Sequence, residues 1–448
     1  MMINKYQNIY FIGIGGVGMS ALAGWCYDKK INVLGYDRNS NDYTLNLKLK
    51  GIKIEHNLDV KIDIDVLNNN NTLVVYTPAI QFTNPIYNFF RKNNYQIIKR
   101  SDLLGLICNK YKVIAVSGTH GKTTVSIMLA HILTSAGLSP NAFFGGLSNN
   151  YNSNYILGNS KYMIVEADEY DKSFLKLNPF ISIITSIDED HIDTYKSYDD
   201  MINAYIDFCE ITLQNRDMDL YKTSKFNSNI FISDVASKIM ETKIGNSKII
   251  AFNKINTNLQ SNKIFSGISQ HMPDHNIKNF IVASSIAQIL GVEYRQIRQA
   301  FKTYLGVKRR FEYHSNTENL ILIDDYAHHP EELNVLINSV RTLHPNKEVF
   351  LIFQPHLFSR TQHLRQGFIE VLSHVDGLAL LDIYPAREQP IPGVNSNSLL
   401  SEINLKNKWN INHQKVLKLL CKVKPSLIVL AGAGDVHKLI PQIKSLYL

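Results

Sequence analysis

The stretch Val113-Ile-Ala-Val-Ser-Gly118-Thr-His-Gly121-Lys122-Thr123-Thr124 constrains this chain more than any other. A β-branched run stops at a glycine turn, and a lysine and two threonines open the apolar segment Val125 to Leu133. Strand, glycine turn, then a helix with Lys and Thr at its start is the layout of a phosphate-binding loop. The first turn of a helix has unpaired backbone N–H groups that point at an anion, and glycine lets the backbone close on it. Lys122 can reach the outer phosphates of a nucleotide and the Thr123 hydroxyl can bind Mg²⁺. In the general pattern, G-x-x-x-x-G-K-[ST], the first glycine falls where this chain has Val116. A glycine turn that only precedes a buried helix would share these features.

At 448 residues the chain is too long for one ordinary core, so two or three domains are expected. Its 45% hydrophobic and 19% charged content is that of a soluble globular protein. The formal charge of +8 could mean a nucleic-acid partner, but no basic cluster alternates with aromatics, and an anionic small substrate fits the charge equally well. Cys26, Cys108, Cys209 and Cys421 form no C-x-x-C pair, so neither a zinc site nor a disulfide framework is expected, and a reducing cytoplasm is. Ile9 to Tyr27 is nearly uncharged and could pass for an export signal or membrane span, but five glycines interrupt it.

Residues Asn8–Ile12 read as a strand, Gly13-Ile-Gly15-Gly16-Val-Gly18 as a turn, Met19 to about Asp28 as a helix, and the next apolar run as a strand ending in Asp37. G-x-G-x-x-G between strand and helix, with an acid about 20 residues on, is the dinucleotide fingerprint. It admits NAD, another nucleotide's diphosphate on the same helix terminus, or a turn that only packs a helix on a sheet. This first domain is expected to end near Arg100–Lys110.

In the second domain, two apolar strands run into acids: Glu166-Ala-Asp168-Glu169, and Asp188-Glu-Asp190-His191-Ile-Asp193. Carboxylates at strand ends beside a phosphate loop make a Mg²⁺ site; singly, each acid is equally a solvated loop cap. Residues Leu213 to Ser269 read as small strands or an irregular insertion without chemistry. His275, Asn276 and Asn279 open a helix running to about Leu290, where they either bond a planar ring such as adenine or cap the helix. Gly306–Glu312 reads as a hinge. Beyond it strands again alternate with helices, and the strands lead into Asp324-Asp-Tyr-Ala-His-His-Pro330, Gln354-Pro-His-Leu-Phe-Ser-Arg360, Asp382-Ile-Tyr-Pro-Ala-Arg387 and Gly432-Ala-Gly-Asp435.

Taken in order, Gly13 to Ser20, Gly118 to Thr124, Glu166 to Glu169, Asp190 to Tyr195, His275-Asn276, Gly306 to Phe311, Asp324 to Pro330, Phe353 to Thr361 and Pro390 to Gly393 resemble the Mur ligase family, the ATP-dependent amide ligases of peptidoglycan precursor synthesis. The resemblance covers nearly the whole chain, and the shortened loop is the form this family uses. It implies an α/β protein of three domains: Rossmann-like and UDP-binding (1–107), P-loop ATPase-like (108–309), and a Rossmann-like C-terminal domain (310–448) that closes over the site and helps bind the amino acid. The first fingerprint then holds a UDP-sugar instead of NAD, through Gly13, Gly15, Gly16, Gly18, Met19, Ser20 and Asp37. ATP falls to Gly118, Thr119, His120, Gly121, Lys122, Thr123, Thr124, His275, Asn276, Asn279, Arg310 and Asp325, and Mg²⁺ to Thr123, Glu166 and His191. Lys122, His328 and Arg360 take catalytic roles, with His328 a candidate base, and Tyr326 faces the substrates.

The implied activity is ATP-dependent ligation of L-alanine to the lactyl carboxylate of UDP-N-acetylmuramate. It runs through an acyl phosphate and releases ADP and phosphate. The setting is cytoplasmic, with a monomer or homodimer and no nucleic-acid or membrane partner. One departure is Leu357, where many members have arginine, which leaves carboxylate anchoring to Arg360 or Arg387. Three alternatives stay open. One is a relative adding a peptide or another amino acid to the same sugar nucleotide. Another is an NAD-dependent dehydrogenase, which leaves the phosphate loop unexplained. The last is a nucleotide-regulated binding protein without catalysis.

Overall fold

The computed structural model describes residues 5–58, 67–188, 194–215, 228–245, 248–254, 272–386 and 388–447. Contacts divide the chain into two compact units, one of Met1–Ser266 with Lys278–Leu305, the other of Gly267–Ile277 with Gly306–Leu448.

The first unit holds two sheets. Strands β1 (Asn8–Ile12), β2 (Asn32–Tyr36), β3 (Lys53–Glu55), β4 (Thr72–Tyr76) and β5 (Gln96–Lys99) form a parallel sheet in the order β3-β2-β1-β4-β5. This is a doubly wound order, and the crevice at its reversal lies between β1 and β4, where such sheets bind ligands. All of β1 is buried, as expected of a strand covered on both faces. Alternate residues feed two cores: Ile9, Phe11, Val33, Leu73 and Val75 face one side, and Tyr10, Ile12, Tyr36 and Val74 the other. The segment that could have passed for an export signal is thus β1 with the helix Val17–Asp28. Among the described residues no helix is long and apolar enough to cross a membrane.

The second sheet contains β6 (Lys112–Ser117), β7 (Asn141–Ser148), β8 (Ser153–Ile156), β9 (Tyr162–Glu166), β10 (Pro179–Ile184), β11 (Ile230–Ile232) and β12 (Ile250–Ala251), in the order β12-β11-β10-β6-β9-β7-β8. Among the described residues only the β7–β8 pair of this sheet is antiparallel. The region read as small strands or an irregular insertion carries β11 and β12, which extend this sheet, and also a helix, Asp234–Ile244, which that reading lacked.

These two sheets share one hydrophobic core. Helix Val17–Asp28 packs on β7 and β8. Asn154 Nδ2 donates to Val17 O (2.7 Å) and Ser20 Oγ (2.9 Å), Trp25 Nε1 donates to Asn141 Oδ1 (3.1 Å), and the Tyr155 hydroxyl donates to Asp28 Oδ2 (2.6 Å).

The second unit is built on β13 (Glu312–Asn316), β14 (Ile321–Asp325), β15 (Phe350–Phe353), β16 (Gly377–Leu380), β17 (Lys408–Asn410) and β18 (Leu427–Ala431), in the order β13-β14-β18-β15-β16-β17. β13 alone runs antiparallel. The alternation is again strict: Ile321, Ile323, Leu351, Phe353, Val429 and Ala431 enter one core, and Leu322, Phe350, Ile352, Ile428 and Leu430 the other. The chain therefore carries three α/β layers, and each sheet is parallel apart from one edge pair in the second and third.

Candidate functional site

β6 lies at the centre of its sheet, between β9 and β10, and ends in the glycine turn. Gly118 has φ +122°, and a Cβ there would stand 2.3 Å from Thr185 Oγ1 and 2.7 Å from Ser186 N. Only glycine fits that close approach. The residues after β10 brace the loop. Thr119 N donates to Ser186 O (3.2 Å), His120 N to Ser186 Oγ (2.9 Å), and Asp188 N to Thr119 Oγ1 (2.9 Å). Gly121 is left-handed and leads into the helix Lys122–Ser135, whose first turn carries no acid to occupy its N–H groups.

Lys122 folds back over this turn. Its ammonium donates to Gly118 O, to Thr119 O (3.2 Å) and to Glu169 Oε1 (2.8 Å). Burial alone would lower the pKa of this lysine, but the Glu169, Asp168 and Glu166 carboxylates outweigh it and raise it, so the ammonium stays charged. Thr123 donates its hydroxyl to Glu166 Oε1 (3.0 Å), and Gly145 N donates to Glu166 Oε2 (2.6 Å). Burial raises the Glu166 pKa, opposed by Lys122 and by these two hydrogen bonds. A threonine hydroxyl and a buried carboxylate beside a phosphate loop are hard oxygen donors of the kind Mg²⁺ takes. The third expected ligand, His191, lies outside the described residues, as does Arg387.

On the first sheet, Gly15 N donates to Asp37 Oδ2 (2.8 Å), Asn39 N to Asp37 Oδ1 (3.0 Å), and Asn41 Nδ2 to Gly15 O (3.0 Å). Asp37 therefore braces the glycine turn. Gly13 and Gly16 shape that turn, and Gly16 is the N-cap of the helix Val17–Asp28 without any side-chain cap. The Ser20 side chain is buried, its N–H donates to Gly16 O, and its hydroxyl donates to Val17 O (2.9 Å). Met19 is likewise buried, in the first turn of the same helix. Sequence reasoning missed Arg100, whose Nη1 is 2.9 Å from where a Cβ on Gly18 would be, and which faces Asp168 at 3.8 Å.

His275, Asn276 and Asn279 all sit on the helix Asp274–Ile289, in its first two turns. Asn279 Oδ1 is 3.3 Å from the Cβ position of Gly121, which brings that residue against the phosphate loop.

In the second unit, Asp325 Oδ2 accepts from Phe311 N (2.7 Å) and Oδ1 from Ala327 N (2.7 Å), so this acid, expected at a nucleotide, ties a turn together. Arg309 and Arg310 lie over the Tyr326 ring, 5.1 and 5.2 Å from its centroid. His328 Nδ1 meets Tyr326 O at 2.9 Å. A carbonyl only accepts, so Nδ1 carries the proton and Nε2 keeps its lone pair. Burial lowers the His328 pKa, reinforced by Arg360 and Arg310 and opposed by Glu332. His356 was not singled out in the sequence. It stacks on Tyr384 (5.7 Å), stands 5.9 Å from the His328 ring, and lies 3.3 Å from Arg360 Nη1. Burial, then His328 and Arg360, push its pKa down to about 4. The unit thus gathers two neutral imidazoles, a guanidinium and a tyrosine at the ends of β14 and β15. Such a set suits a small zwitterion, with Arg360 for a carboxylate and an imidazole lone pair for an amine proton.

The match to known proteins extends over the same three sheets. The model for the Mur ligase family, catalytic domain, matches residues 8–112, the Mur ligase middle domain residues 116–287, and the Mur ligase, glutamate ligase domain, residues 309–434. The UDP-N-acetylmuramate–L-alanine ligase of Cytophaga hutchinsonii is 38% identical over 460 residues, covering 100% of this chain and 98% of that protein. The protein of that name from Flavobacterium johnsoniae is 37% identical over 450 residues, with 100% and 99% covered. Among solved structures, UDP-N-acetylmuramate–alanine ligase from Thermotoga maritima superposes with a TM-score of 0.77 at 23% identity, covering 98% of this chain and 99% of that one. A murein peptide ligase from Psychrobacter arcticus gives 0.65 at 19% identity, with 98% of each chain covered. These two structures speak for the fold, and the full-length relatives speak for descent: the chain belongs to the Mur ligase family.

Proposed function

We propose that this chain joins L-alanine to the lactyl carboxylate of UDP-N-acetylmuramate, with cleavage of ATP to ADP and phosphate, in cytoplasmic peptidoglycan precursor synthesis. The reading rests on the seating of Lys122, Thr123 and Glu166 around one phosphate-sized turn, in a chain 38% identical along its length to a protein of that name. Its domains are taken as 1–107 for the UDP-sugar, 108–309 for ATP and 310–448 for the amino acid.

The open first turn of the helix Lys122–Ser135 takes the triphosphate, and Lys122 lies against the transferring phosphoryl group, where charge develops as the lactyl carboxylate attacks it. Thr123, Glu166 and His191 would hold Mg²⁺, which when bound supplies charge neutralisation on the phosphate oxygens. The product of that attack is an acyl phosphate, and the amine of alanine displaces its phosphate. Arg360 binds the alanine carboxylate, and His328 Nε2 takes the amine proton. The glycine turn Gly13–Gly18, with Arg100 at the same helix terminus, takes the diphosphate of the sugar nucleotide.

The test is ADP release with ATP, Mg²⁺ and UDP-N-acetylmuramate, adding alanine, serine, glycine or a tripeptide in turn. Alanine is expected to give the highest kcat/KM. Release that prefers the tripeptide would move the chain to the peptide-joining relatives, and no release with any acceptor would overturn the reading. Lys122→Ala is expected to lower kcat by roughly 10²-fold or more, and near-normal turnover would remove the lysine from the mechanism.

A further inference from the structure

The acids that follow β9 are divided between two tasks. Glu166 turns to the Thr123 hydroxyl and Gly145 N. Glu169, three residues on, turns to Lys122 at 2.8 Å. Glu169 is 1% exposed and the Lys122 side chain 14%. A carboxylate this deep is costly unless a cation meets it, and Lys122 meets it directly. An ammonium has three N–H donors, and Gly118 O, Thr119 O and Glu169 Oε1 take one each. The backbone at this residue is also held, because the Tyr195 hydroxyl donates to the Glu169 main-chain carbonyl at 2.6 Å.

We propose that Glu169 is a positioning residue for the ligase step: it holds the Lys122 ammonium over the Gly118–Thr123 turn and keeps it aimed during phosphoryl transfer. The inference rests on the reading of Gly118–Thr123 as the ATP site. Two effects of Glu169 on the triphosphate then oppose each other. Its negative charge beside the incoming phosphates weakens binding. Its grip on the lysine confines the ammonium to one position, and that geometry governs the chemical step. Removing the charge while keeping the shape therefore separates binding from turnover.

The experiment compares wild type, Glu169→Gln and Glu169→Asp, measuring kcat for ADP release and the Kd of a non-hydrolysable ATP analogue with Mg²⁺. Glu169→Gln is expected to lower kcat roughly 10–100-fold, the range seen when a group that orients a key ligand is lost. The analogue is expected to bind the variant as tightly as wild type or more tightly. Glu169→Asp, which keeps the charge, is expected to turn over faster than Glu169→Gln. A kcat within about threefold of wild type, or loss of analogue binding in step with kcat, would overturn the proposal. Should Glu169→Gln fail to fold, the ¹⁵N-labelled wild type decides. A slowly exchanging lysine ammonium resonance, lost in Lys122→Ala and shifted by the analogue, is expected, and its absence in the nucleotide-free protein would overturn the proposal. Failure here with wild-type turnover and an inactive Lys122→Ala leaves the ATP site standing; an active Lys122→Ala fails the site itself.

Discussion

Gly118→Ala tests the phosphate loop at its tightest point. The added methyl carbon would sit 2.3 Å from Thr185 Oγ1, 2.7 Å from Ser186 N and 2.8 Å from Ser186 O, at φ +122°. Holding a non-glycine residue in such a backbone conformation costs about 1–3 kcal/mol. Forcing a methyl into a packed site costs a further 1–3 kcal/mol or so, and here two of the three atoms are backbone and cannot rotate away. The loop faces a penalty of roughly 2–6 kcal/mol and relieves it by moving, which displaces the Gly118 carbonyl that Lys122 uses. Even the lower figure, about 2 kcal/mol, corresponds to a roughly 30-fold weaker nucleotide. Titration calorimetry with a non-hydrolysable ATP analogue and Mg²⁺ is expected to show at least that loss. Gly137→Ala is the control, since Gly137 has φ +84° with nothing within 4 Å of its Cβ position. It bears strain without the clash and is expected to leave affinity unchanged. Gly118→Ala binding within about threefold of wild type would refute the argument from contact.

Two further outcomes concern protonation. Burial raises the Asp324 pKa from 3.8 to about 6, against the pull of Arg309 and His314. The folded state therefore favours the proton, and the stability this lends is full below pH 3.8 and lost as pH rises through about 6. At 1.36 kcal/mol per pH unit the loss is about 3 kcal/mol, and Asp324→Asn lacks it. Hydrogen exchange at Leu322 and Ile323 should show wild-type protection falling relative to Asp324→Asn between pH 4 and pH 7, and parallel curves would contradict it. The pKa values of His328 and His356 both lie below the ordinary histidine value of 6.5. Both imidazoles stay neutral as pH falls past that value, so the acidic limb of kcat/KM is expected below pH 6.5; a midpoint at or above it would remove His328 from the base role.

Much of this architecture could be read along the chain because parallel strands buried on both faces are unbroken apolar runs. β1 falls on Asn8–Ile12 as expected, and the helix after it on Val17–Asp28, two residues earlier than its expected start. The helix bearing Asn279 spans Asp274–Ile289 against an expected end near Leu290. β11 and β12, three and two residues long, are too short to show a period, and they count as sheet only because β10 gives them an edge to join.

Residue types and spacing sufficed to pick out candidate segments that lie within a few residues of themselves: the turn from Gly118 to Thr124, the glycines from Gly13 to Gly18, and the acids and histidines that follow strands. Which of these groups meet was set by strand order. Because β9 and β10 flank β6, Glu169 reaches Lys122 and Ser186 braces His120. Because the first two sheets share a core, Trp25 finds Asn141. Local sequence encodes which way a side chain points along its own strand or helix. The partner waiting there depends on which distant strand the sheet places alongside, and burial energy summed over the whole core makes that choice.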